Sequence, residues 1–133
     1  MTRIERQRRI LAWAIDVFGL HKACTMAIRG NRFLEEAIEV AQAAGVHEDV
    51  AHHLVKGVYS RKTGQLKQEI GGAGITLLSL AELAGIDADH EEAMEMYRVF
   101  GIPKEVWTER ERRKEEAGFN AVVTHTPEAL EGD

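Results

Sequence analysis

Apolar residues recur at helical spacing almost from the first residue. Ile10, Leu11, Ala14, Ile15 and Phe18 follow one another at short helical intervals, Thr2 and Glu5 fit a capping box ahead of them, and Gly19 breaks the pattern. An irregular stretch around His21 to Gly30 comes next. Asn31 is then placed to cap a second helix, RFLEEAIEVAQAAG, of about fourteen residues, which Gly45 closes as a C-terminal glycine. A third helix is predicted over His47 to Tyr59 with Val50, Leu54 and Val58 inward, and the turn-like segment SRKTG separates it from a fourth. That fourth helix runs from about Leu66 to Ala84 with Ile70, Ala73, Leu77, Leu80 and Ala84 as its inward stripe. Gly85 ends it, Asp87 or Asp89 caps a fifth reaching Phe100, and Pro103 suits the first turn of a charged sixth. No strand pattern of useful length occurs before Phe119. The pattern therefore predicts an all-α fold, a helical bundle of about five to six helices, in one domain over residues 1–119. Residues 120–133 have weak periodicity and read as a tail, disordered or docking on a neighbouring subunit.

Composition narrows the class of function. A chain of 133 residues that is 44% hydrophobic suits a single core, and its net charge of -5 argues against general binding to a nucleic-acid polymer or an anionic membrane. The amino terminus MTRIERQRR is basic, but the apolar run after it is short and is interrupted by Asp16, so neither a signal peptide nor a membrane span is expected. Cys24 is the single cysteine, which excludes an internal disulfide and suits a reducing compartment. Cytoplasmic localisation is the expectation.

Chemistry concentrates on the second helix. At 100° per residue Glu35, Glu36 and Glu39 fall within an arc of roughly 100°, while Leu34, Ala37, Ile38 and Ala41 cover the other side. One helix face thus presents several carboxylates, which are expected to have no basic partner three or four residues away. Like charges held together raise one another's pKa unless a cation joins them, which favours a metal site over a merely solvated face. Glu69, at the border of the fourth helix's apolar stripe, is a further candidate ligand or an edge residue reaching water. Gly71, Gly72 and Gly74 in that helix cost about 1 kcal/mol each relative to Ala, and close helix packing is the expected compensation. They follow no strand and lack a Gly-Lys-Ser/Thr ending, so a phosphate-cradling loop does not fit.

The order of these pieces resembles the all-α nucleoside triphosphate pyrophosphohydrolases, the MazG-like superfamily, whose signature is E-E-x-x-E on one helix and E-x-x-D on a later one. Glu35, Glu36 and Glu39 match the first half. Trp13, Phe18-Gly19, RFLEEAIEVAQAAG, VYSRKTG and QEIGGAGITLLSLAELAGID resemble a small bacterial and phage branch, over roughly Trp13 to Asp87. Gly72 stands where the wider superfamily has its second acid, leaving Asp87, Asp89, Glu95 or an acid of a neighbouring subunit to replace it. The resemblance implies Mg2+, with Mn2+ as a substitute, held by Glu35, Glu36, Glu39 and Glu69. It also implies hydrolysis of nucleoside triphosphates to monophosphate and pyrophosphate with Glu36 and Glu39 as catalytic acids, and assembly as a homodimer or homotetramer. Hard carboxylate oxygens suit Mg2+, which would offset the repulsion between an acidic protein and a polyanionic substrate.

Substrate contacts are less sharply marked. Arg29, Arg32, Lys56, Arg61, Lys62 and Lys67 lie near the acid segments, with Arg32 and the Arg61–Lys62 pair as preferred phosphate contacts, although such charges are commonly ordinary surface residues. Trp13 is a candidate base-stacking residue, although a Trp at helical spacing with Ile10 and Val17 is more often a core residue. His47, His52 and His53 lack the H-E-x-x-H pattern of a zinc helix, and the spacings Asp49/His52 and Asp87/His90 are better explained by capping than by di-iron ligation. Cys24 reads as a small buried residue, and the run TERERRKEE as a solvated face or subunit contact. The rival to the enzyme is a non-catalytic helical oligomer that binds nucleotide or protein as a regulator.

Overall fold

The computed structural model describes residues 1–123 and consists there of helices and their connections, with no strand among the described residues. In order they are α1 (Arg3–Phe18), α2 (Leu20–Cys24), α3 (Met26–Ala43), α4 (Glu48–Tyr59), α5 (Leu66–Ala84), α6 (Ala88–Gly101) and α7 (Lys104–Glu116). Of the tail predicted at 120–133, residues 124–133 lie outside the described residues.

Local signals set most helix ends. Thr2 and Glu5 form both arms of the capping box: the Thr2 hydroxyl accepts from the Glu5 amide, and the Glu5 carboxylate accepts from the Thr2 amide. Gly19, with φ +87°, turns the chain out of α1, and Gly85, with φ +71°, gives α5 a left-handed end that other residues adopt at a cost. His47 and Asp87 cap α4 and α6 by accepting the Asp49 and His90 amides. Pro103 sits at the N-cap of α7, one position ahead of its expected place in the first turn.

The second predicted helix starts earlier than expected. The stretch predicted to be irregular contains α2 and the first turn of α3, so Asn31 lies inside a helix and caps nothing. Its side-chain amide donates instead to the Phe119 and Ala121 carbonyls, at 3.1 and 3.0 Å, strapping the segment after α7 onto α3.

Packing is concentrated at one end of the molecule. α1 packs on α2, α6 and α7, and α2 on α3. Trp13 stands at the centre of this body, edge-on to Phe18 and Trp107 at centroid distances of 5.5 and 5.3 Å and tilted on Phe100 at 6.0 Å. The Trp107 indole donates to the Val99 carbonyl at 3.2 Å, tying α7 to α6. Arg6, 5% exposed, fastens α1 to α6 through Glu92 at 2.9 Å and through Asp89.

Two helices stand apart from this body. Neither α4 nor α5 packs extensively on any other element. Val50, Leu54 and Val58, expected to face inward, are exposed, as are Ile70, Leu77 and Ala84 of the stripe predicted for α5, and Ala81 is the one buried residue of α5. Periodicity therefore located the apolar faces, but the described residues leave them uncovered.

Candidate active site

Glu35, Glu36 and Glu39 project from the middle and C-terminal half of α3, one helical turn along from the strap at Asn31. Glu35 is half-buried and accepts a hydrogen bond from the Lys114 ammonium of α7 at 2.8 Å, with the Arg32 guanidinium 3.8 Å away. This corrects the expectation of unpartnered acids: Arg32 stands three residues before Glu35 on the same helix, and Lys114 arrives from α7. Glu36 carries no such partner among the described residues. Partial burial pushes its carboxyl above the usual carboxylate range, and the charges of Glu39, Glu35 and, across from α6, Glu95 push it further, with Lys114 offsetting part. Glu95 itself is held below that range by the hydrogen bond it accepts from Arg98, whose guanidinium also feels the charge of Glu36. Glu39 is exposed.

Glu69 does not join them. It lies exposed in the first turn of α5, where its carboxylate folds back over Gly64, a position that has room for it because glycine lacks a side chain. Among the described residues no three Asp, Glu, His or Cys side chains converge closely enough to hold a metal ion. The carboxylate set named from the sequence therefore does not fit a metal within one chain in this arrangement.

The remaining candidates divide between structural and free positions. Arg32 spends its Nη2 donors on both Glu111 oxygens, at 3.1 and 3.2 Å, and on Asn120 Oδ1 at 2.6 Å. Trp13 is enclosed by its aromatic neighbours, in keeping with the core reading. Arg61 and Lys62 are exposed in the turn between α4 and α5. Arg29 is half-buried, and its Nε and Nη2 have no hydrogen-bond partner among the described residues; desolvation, then the charge of Arg32, lowers its pKa. His47, His52, His53 and Cys24 are exposed, which corrects the expectation of a buried thiol.

The sequence reading missed the acid face's neighbours on α7. Glu111, 5% exposed, accepts from Arg32 and from the Asn120 amide, and Lys114 reaches Glu35. Trp107, Glu111 and Lys114 recur at i, i+4 and i+7, so the inner face of α7 was present as a spacing inside a run that looked uniformly solvated. No protein-family model, no curated protein and no solved structure matches this chain. The site thus presents a carboxyl of raised proton affinity at Glu36 beside Glu39, with Lys114 paired to Glu35 and Arg98 to Glu95.

Proposed function

We propose that the chain is a Mg2+-dependent nucleoside triphosphate pyrophosphohydrolase, with Mn2+ as a substitute, releasing nucleoside monophosphate and pyrophosphate. The observation that carries this reading is Glu36. Its carboxyl is held with raised proton affinity among Glu35, Glu39 and Glu95, on the helix whose E-E-x-x-E run resembles the MazG-like signature. A carboxylate of raised pKa is better suited to take a proton from an attacking water than one at the usual value, and Glu39, three residues on, shares its face. A bound divalent ion would supply positive charge to the phosphates and acidify a coordinated water. Among the described residues no three acids come together, so on this proposal a neighbouring subunit of the homodimer or homotetramer completes the ion site.

The experiment is a panel of ribo- and deoxyribonucleoside triphosphates assayed for pyrophosphate with Mg2+. Release from at least one, abolished by Glu36→Gln and by Glu39→Gln with the helical signal intact, is the expected result. The absence of pyrophosphate from every nucleotide would instead support the second reading, a non-catalytic nucleotide- or protein-binding regulator. That reading is favoured by Gly72 at the position of the second signature acid and by the engagement of Glu35 with Lys114.

A further inference from the structure

Ion pairs link α7 to α2 and α3, and along this seam every cation but one has its own carboxylate. Lys22 of α2 pairs with Glu115 at 2.9 Å, Lys114 reaches Glu35 at 2.8 Å, and Arg32 meets Glu111 at 3.1 Å. Arg29, one turn before Arg32 on α3, is the exception. Its Nε and Nη2 are buried without a hydrogen-bond partner among the described residues, and Nη1 of Arg32 is in the same condition. Buried donors are nearly always bonded, so three orphans on residues one turn apart point to a missing acceptor. Glu111, the carboxylate whose charge reaches Arg29, is already engaged by Arg32 and Asn120. Glu36, the unpartnered acid two turns further along α3, is not among the charges acting on Arg29. Desolvation, then the charge of Arg32, outweighs the help of Glu111 and lowers the pKa of Arg29.

The orphaned atoms define what would fit them. Nε and Nη2 form one edge of the guanidinium plane, the edge that takes two oxygens of a carboxylate or a phosphate side by side. Charge decides between the two. The seam is one negative charge short, so a singly charged carboxylate completes it, whereas a doubly charged phosphate would set a second negative charge beside Glu111 and Glu35. Access is from the surface, since Arg29 is only half-buried. Neither Nε nor Nη2 is bonded, so turning this fork toward an entering carboxylate breaks no hydrogen bond.

We infer that Arg29, with Nη1 of Arg32 as a third donor, is a binding site for the carboxylate of a small organic acid. The carboxylate accepts from Nε and Nη2 of Arg29 and supplies the fourth anion of the seam. The site is separate from the hydrolase reading, because it takes up no metal and uses none of Glu35, Glu36 and Glu39 as a ligand.

The test is a titration of the full chain with sodium acetate at pH 7 against sodium chloride of equal ionic strength, followed by nitrogen NMR of the arginine Nε–H groups and by urea unfolding. The expected result is a saturable shift of the Arg29 Nε–H signal and a rise in the urea midpoint with acetate, the midpoint rise being absent from Arg29→Met. In chloride, Arg29→Met should unfold at no lower urea concentration than the wild type, because it removes a buried charge that has no partner. Arg29→Lys keeps the charge but loses the fork, and should weaken acetate binding by at least about tenfold. The inference is overturned by the absence of a saturable shift, by a chloride effect equal to that of acetate, or by an acetate effect that persists in Arg29→Met. A Met variant less stable than the wild type in chloride overturns it as well, since the guanidinium would then be a satisfied structural group. So does an Arg29 Nε–H protected from exchange before acetate is added, which would show the position filled by a carboxylate of the protein itself. Tighter saturable binding of inorganic phosphate than of acetate overturns the ligand class.

Discussion

Glu36 and Glu111 are carboxylates displaced in opposite directions, and each gives a pH-dependent expectation. Burial and neighbouring acids raise the proton affinity of Glu36 in the folded chain. Its favourable contribution is therefore present below the ordinary carboxylate range and is lost as pH rises through its raised value, so at neutral pH its charge opposes folding. Glu36→Gln should make the fold more stable to urea at pH 7 while abolishing turnover, and the stability gain should fade in acid. For Glu111, burial alone would raise the pKa, but hydrogen bonds from Asn120 and Arg32 outweigh it and lower the value. Its contribution is present above the ordinary range and is lost as pH falls through the lowered value. Glu111→Gln should cost about 1–3 kcal/mol at neutral pH, with the difference shrinking on acidification in parallel urea titrations. The acid face itself was legible because three glutamates at i, i+1 and i+4 need only helical geometry to share a side. Arg32 was equally legible, three positions before Glu35, and the expectation of unpartnered acids overlooked it. Lys114 was not legible, since its approach depends on how α7 crosses α3.

At the scale of elements, the helices that follow from the sequence are those with a local start and stop. The Thr2–Glu5 box fixed α1, Gly85 ended α5, and Asp87 capped α6, each a short-range hydrogen bond or backbone conformation. Asn31 misled because a good capping residue also serves inside a helix when a tertiary acceptor is present, here the Phe119 and Ala121 carbonyls. Trp13 is the packing centre on which α1, α6 and α7 meet, so Trp13→Ala should lower stability by about 3 kcal/mol in thermal or urea unfolding, with loss of the near-ultraviolet aromatic signal. The glycines of α5 offer the converse case. Replacing Gly71, Gly72 and Gly74 together by Ala improves intrinsic helix propensity by about 3 kcal/mol. Nothing lies within 4 Å of a Cβ added at any of the three, so urea unfolding of the triple variant should show a gain of that order.

For the whole molecule, the all-α class was readable from period alone, whereas the distribution of packing was not. Val50, Leu54 and Val58 were correctly grouped on one side of α4, but period says which residues share a face and not which chain buries it. No single helix among the described residues is long and apolar enough to cross a membrane, while α5 with α6 forms a sharply bent apolar pair. The strap after α7 gives one feature a reach beyond its size. Asn31 and Arg32 grip residues 119–121 immediately ahead of the acid face on the same helix, so ending the chain at Gly118 would release Arg32 from Asn120 and deprive Glu111 of a donor. A trimmed carboxyl end would then free the Arg32 guanidinium, which stands 3.8 Å from Glu35, to pair more closely with that carboxylate without any change at Glu35 itself.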